Sequence, residues 1–124
     1  MINKTNKHHW RTRQHEDFYF KLSKKQGFRT RSVYKLIEMN EKYRLIKPKS
    51  TVLDLGCSPG GWSDYIAHKL SNKGRIISID ISEMKPITNV DFILGDFQNE
   101  TIKNKILKKI SDKRFDLIVS DISP

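Results

Sequence analysis

Apolar residues recur along this 124-residue chain with two different periods, and the period changes where glycine or proline interrupts it. Between Ser32 and Tyr43, the residues Val33, Leu36, Ile37 and Met39 fall at helical spacing. They predict an amphipathic helix that ends near Arg44, before Pro48 breaks the pattern. The stretch STVLDLG at 50–56 predicts a strand closing at Gly56, and GGWSDYIAHKL at 60–70 predicts a helix with Trp62, Tyr65, Ile66 and Leu70 on one side. GRIISID at 74–80 predicts a second strand and VDFIL at 90–94 a shorter third. A helix is expected from about Glu100 to Ser111, carrying Ile102, Ile106, Leu107 and Ile110. FDLIVSD at 115–121 predicts a fourth, buried strand that delivers a carboxylate at its carboxyl end.

Strands that alternate with helices require crossover connections, so the expected fold is α/β, with a mostly parallel sheet covered by helices on both faces. In such sheets ligands bind beyond the carboxyl ends of the strands. Gly56, Asp80, Asp96 and Asp121 each follow a predicted strand, so all four could line one crevice.

Charge divides the chain. Residues 1–49 hold 14 Lys and Arg against 4 Asp and Glu, whereas residues 50–124 hold 10 of each. Compositional bias toward lysine would spread the excess evenly. Its segregation supports a segment that binds a polyanion, with nucleic acid the leading candidate and a solvated basic surface the plain alternative. Residues 1–30, polar and basic with scattered aromatics, are the expected RNA-facing segment, and residues 31–124 the expected α/β domain. The opening MINKTNKHHW lacks the apolar core of a secretory signal, and no apolar run approaches the roughly 20 residues that span a bilayer, so a cytoplasmic protein is expected. A single Cys57 offers no internal disulfide, and His8, His9 and His15 in a polar stretch read as solvated imidazoles rather than metal ligands.

DLGCSPGGW at 54–62 combines a strand end, a glycine-containing loop and a helix start, which together let backbone approach a ligand closely. A dinucleotide fingerprint would need glycine where Ser58 stands, and Pro59 stiffens the loop. A nucleoside-like ligand without a diphosphate fits better. Asp80 lies at the distance from this loop where such folds place an acid for ribose hydroxyls, and Asp96 stands where a carboxylate could accept from an adenine amino group. Each aspartate alone is as readily a turn or cap residue. Trp62 could be core, Cys57 a loop filler and Lys35 a solvated face residue.

In this order and spacing, FRTRSVYKL, VLDLGCSPGGWS, GRIISIDI, VDFILGDF and VSDISP closely resemble the FtsJ (RrmJ) family of S-adenosylmethionine-dependent RNA 2'-O-methyltransferases. Within it the resemblance extends to the bacterial enzymes that methylate a uridine ribose in 23S ribosomal RNA. The resemblance runs from about Trp10 to the last residue, and it implies a Rossmann-like methyltransferase fold, present here through the fourth strand. It further implies S-adenosyl-L-methionine as cofactor, ribosomal RNA within the large subunit as partner, and a monomer when full length. By position, the donor-contacting residues implied are Gly60, Trp62, Asp80, Asp96 and Asp121. The family's Lys-Asp-Lys-Glu tetrad matches Lys35 and Asp121. Its second lysine is the usual proton acceptor, and Lys35 and Asp121 would orient the hydroxyl and balance charge.

The second lysine and the glutamate have no counterpart up to Pro124, so the resemblance leads to the expectation of a carboxyl-terminally truncated form with little turnover. In the family's strand order 3-2-1-4-5-7-6 the fourth strand is central, and truncation would leave it as an apolar edge. Two other classes stay open. One is a non-catalytic remnant that binds RNA or donor; the other is a dehydrogenase-like dinucleotide binder, disfavoured by Ser58.

Overall fold

A computed structural model describes residues 32–110 and 114–121. The basic segment 1–30 lies outside the described residues. Helix α1 spans Val33–Tyr43, strand β1 Thr51–Leu55, helix α2 Gly61–Leu70, strand β2 Arg75–Asp80, strand β3 Val90–Leu94, helix α3 Glu100–Lys109 and strand β4 Leu117–Ser120. Among the described residues the strands form one parallel sheet in the order β3-β2-β1-β4. This is the α/β arrangement expected from the alternation of periods.

Strand alternation sorts the sheet into two apolar faces. Val52, Ile76 and Val119 pack with Trp62, Tyr65, Ile66 and Leu70 of α2, and α1 adds Val33, Leu36 and Ile37 to the same cluster. On the opposite face Leu53, Ile77, Ile79 and Ile93 pack with Ile106 and Ile110. Each fully buried aliphatic side chain of this kind contributes about 1.5–3 kcal/mol of transfer free energy. The helices are therefore held by the sheet rather than by their own propensity.

Local chemistry sets the element ends. Arg44 and Ser71 adopt left-handed conformations that close α1 and α2, and the Asn99 side-chain oxygen caps α3 by accepting from Thr101 and Ile102 N–H. At Gly74 a Cβ would lie 2.4 Å from the Ser50 carbonyl oxygen, so only glycine lets this turn approach the start of β1. Two boundaries differ from the sequence expectation. Helix α3 stops at Lys109 because Ile110 is already extended. Strand β4 begins at Leu117 rather than Phe115, because the Asp116 carboxylate accepts from Thr51 N–H at 2.8 Å while Asp116 N–H donates to the Thr51 carbonyl at 2.8 Å.

The fourth strand also departs from its expected burial. Val119 is buried, but Ile118 is 58% exposed. Among the described residues β4 pairs only with β1, and Ile118 sits opposite Leu53 on the α3 face, at the side of the sheet that α3 does not cover.

A carboxylate joins three elements at the other end of the sheet. Asp91 of β3 accepts from Arg75 of β2 at 2.8 Å and from Lys109 of α3 at 3.0 Å. Partial burial pushes its carboxyl upward, yet the bonds from Arg75 and Lys109 win and hold it below the usual value. Asp91→Asn is expected to cost about 1 kcal/mol, less at high salt, because the pairs are partly solvated. Urea unfolding at two ionic strengths checks this.

Candidate active site

The parallel register brings the strand ends level. Leu55 lies opposite Ile79 and Ser120, and Asp80 opposite Leu94, so the residues that follow these strands emerge on one rim. There a cavity of about 410 Å³ is lined by Gly56, Ile79, Asp80, Ile81, Asp96, Phe97, Gln98 and Asp121 among others. The volume falls in the range of roughly 300–1,000 Å³ usual for small-molecule sites. All four residues that the strand-end rule selected line it. Ile81, Phe97 and Gln98 were not selected, although Ile81 at 75% exposed and Phe97 beside Asp96 give the cavity its apolar surface.

Asp80 organises two loops. Its carboxylate oxygens accept from Ser58 N–H and from Ser82 N–H, each at 2.8 Å, tying the glycine loop to the loop after β2. Gly56 and Cys57 N–H both bond the Ile79 carbonyl, which fixes the start of the glycine loop against the same strand. Asp96 accepts from Gln98 N–H at 2.9 Å through one oxygen. Its Asx turn presents the loop that carries Phe97 and Gln98 to the cavity.

Beneath the rim lies a buried polar chain. Asp54 of β1 accepts from the Ser63 hydroxyl at 2.7 Å, and Ser63 and Ser78 share a bond of 2.6 Å. Burial pushes the Asp54 carboxyl up to about 7; the Ser63 bond opposes this, while the charges of Asp121 and Asp80 add to it. Burial likewise pushes the Cys57 thiol up to about 12, so it stays protonated and is a filler rather than a nucleophile at neutral pH.

Gly60 and Trp62 lie beside the cavity rather than on its walls. Gly60, at φ 114°, caps α2, and a Cβ there would meet Ile87 at 2.7 Å and Met84 at 3.1 Å. The loop after β2 thus folds directly over it. Gly60→Ala is expected to destabilise the chain by about 1–3 kcal/mol, chiefly through left-handed strain, and to weaken any ligand held by the loop. Thermal melts with and without ligand check both parts. Trp62 is buried in the helix-side core, and its indole N–H donates to the Ser32 carbonyl at 3.1 Å.

Lys35 reaches the same rim from α1. Its ammonium lies 3.6 Å from the Asp121 carboxylate, with the lysine side chain 66% exposed and the aspartate 33%. Composition would leave this lysine as a solvated face residue. Only the fold brings it to the fourth strand end.

Residues 28–124 match the family described as FtsJ-like methyltransferase. The chain is 42% identical over 115 residues to the ribosomal RNA large subunit methyltransferase E of Legionella pneumophila (strain Lens), and 44% identical over 115 residues to that of Nitrosospira multiformis. In both, the match covers 93% of this chain and 56% of the relative, so the chain spans about half the length of the curated relatives it matches. A crystal structure described as that of a ribosomal RNA methyltransferase from Plasmodium falciparum superposes with a TM-score of 0.69 at 38% identity, over 76% of this chain and 56% of that one. MycE methyltransferase from the mycinamycin pathway, solved with SAH, shares the fold alone, with a TM-score of 0.51 at 21% identity over 73% of this chain and 26% of that one.

Proposed function

Because the chain belongs to the FtsJ-like methyltransferase family, we propose that it binds S-adenosylmethionine in the strand-end cavity and serves methylation of a ribose 2'-hydroxyl in large-subunit ribosomal RNA. The observation that carries this reading is the convergence of Asp80, Asp96 and Asp121 on one cavity with Lys35 poised over Asp121. The relatives' names support ribosomal RNA as substrate, and uridine is the nucleoside that the family resemblance favours.

The residues fit such a donor. Asp80 has lone pairs left for ribose hydroxyls after bonding Ser58 and Ser82, and Asp96 has an oxygen free of the Gln98 bond for an adenine amino group. Phe97 and Ile81 supply apolar walls, and an acidic floor suits a cationic ligand. Gly60 shapes the loop, and Trp62 would reach the donor through its backbone N–H in the first turn of α2, its indole being engaged with Ser32. A bound donor would supply an electrophilic methyl and depart as the neutral thioether. Lys35 and Asp121 would orient the attacking hydroxyl and balance charge beside it, the hydroxyl proton passing to water at this solvent-open rim, so that an encounter of two molecules becomes a near-unimolecular step.

Single-turnover transfer of tritiated methyl to large-subunit ribosomal RNA tests the reading, because a 2'-O-methyl group protects the adjacent phosphodiester from alkali. Label that accumulates slowly, as the expectation of little turnover requires, and that appears in alkali-stable dinucleotides is the expected result. Label in alkali-released mononucleotides would place the methyl on a base and overturn the assignment. Donor binding with no transfer would instead favour a binding role for the same site.

A further inference from the structure

Two polar ties fasten α1 to α2, one near each end of α1. At the amino end, Trp62 of α2 donates its indole N–H to the Ser32 carbonyl at 3.1 Å, one residue before α1 begins. Near the carboxyl end, the Asn40 amide donates to the Tyr65 hydroxyl of α2 at 3.3 Å, while its carbonyl oxygen accepts from Ile46 N–H at 2.8 Å as the chain leaves the helix. Trp62, Tyr65 and Asn40 are all buried, so neither the Trp62 indole N–H nor the Asn40 amide can turn to water if its tie opens. Between the ties, Val33, Leu36 and Ile37 belong to the same apolar cluster as Trp62, Tyr65 and Ile66.

Lys35 lies between these ties and points outward. It is exposed, and among the described residues its ion pair is to Asp121 rather than to a side chain of its own helix. Its place depends on where α1 sits on α2, and α2 in turn starts at the glycine loop. A translation of α1 by about one ångström would lengthen a 3.6 Å ion pair enough to let water between its partners. Interdigitated apolar packing still permits small shears, helices in other proteins shifting by about 1–2 Å at packed interfaces. Directional hydrogen bonds at two separated points do not slide.

We infer that Trp62 and Asn40 are positioning residues, forming a two-point latch that moves Lys35 as one body with the glycine loop and sets its distance to Asp121. Trp62 then has two separate tasks, its backbone at the donor loop and its indole on the lysine-bearing helix. The latch rests on the reading of Lys35 and Asp121 as the acceptor-orienting pair, and its test does not require turnover.

Reductive methylation with 13C-formaldehyde gives each lysine an NMR signal, and Lys35→Arg assigns that of Lys35. Asp121→Asn is expected to shift this signal in the parent chain. In Trp62→Phe, and separately in Asn40→Ala, the same Asp121→Asn change is expected to move it by less than half as much, the loss being a coupling between residues that do not touch. Donor affinity of Asn40→Ala should stay within about threefold of the parent, since Asn40 lies away from the cavity lining. A residue that only stabilises the fold would lower the melting temperature and leave the coupling intact. Full coupling in both folded variants, or no coupling in the parent, overturns the latch. If Trp62→Phe does not fold, the Asn40 variant decides alone. Loss of coupling in a chain that binds no S-adenosylmethionine would uphold the latch and refute the functional reading, so the two failures are distinct.

Discussion

Asp80→Ala is expected to lower the affinity for S-adenosylmethionine by on the order of 100-fold, the largest effect of any single substitution at the cavity. Three losses meet at one carboxylate. The ribose hydroxyls lose their acceptor, Ser58 N–H loses the bond that holds the glycine loop, and Ser82 N–H loses the bond that holds the opposite wall. A ribose bond to a charged acceptor contributes about 1.5–3 kcal/mol, which alone is roughly 10- to 150-fold, and the two loop bonds act on affinity only by preorganising the site. Asp80→Asn keeps only one acceptor oxygen and should fall between, roughly tenfold weaker than the parent. Titration calorimetry of the three proteins decides the matter. An alanine variant that binds as tightly as the parent would remove Asp80 from the site.

The second large effect is in pH. Asp54 titrates from an ordinary value of 3.8 to about 7 in the fold, chiefly because it is buried. Its folded value is raised, so its stabilising contribution is complete below 3.8, where both states hold the proton, and declines as pH rises toward about 7. Above that, the folded state carries a buried carboxylate next to Asp80 and Asp121. The full difference is on the order of 4 kcal/mol at 1.36 kcal/mol per pH unit. Asp54→Asn retains an acceptor for Ser63 and removes the titration. The gap in stability between variant and parent should therefore grow in the variant's favour from pH 5 to pH 8. Denaturant unfolding across this range measures it, and a gap that stays constant would show that Asp54 is already ionised at the lower end. A cationic donor seated in the cavity should narrow the gap by stabilising the ionised form.

Much of the fold is legible in periodicity because each strand and helix buries one consistent face. Val33, Leu36 and Ile37, or Trp62, Tyr65 and Ile66, mark their helices by spacing alone. The ends were less legible at Asp116, whose side chain takes over a backbone partner of β1, and at Ile118, whose exposure depends on how far α3 reaches across the sheet. The cavity was partly legible through the strand-end rule, which depends on topology and needs no side-chain detail. That rule could not find Phe97 or Gln98, which enter through the loop after β3, nor Lys35. The lysine lies 86 positions from Asp121 in the sequence, and only the docking of α1 on α2 joins them. Hydrophobic pattern alone does not reveal that the Trp62 indole spends its N–H on a backbone carbonyl.

Direct titration of the chain with S-adenosylmethionine, with a nicotinamide dinucleotide as competitor, tests the central claim most directly. Saturable binding that the dinucleotide does not displace and that Asp80→Ala removes is the predicted result. A folded chain that shows no saturable binding, or that prefers the dinucleotide, would contradict the assignment of the strand-end cavity to a methyl donor.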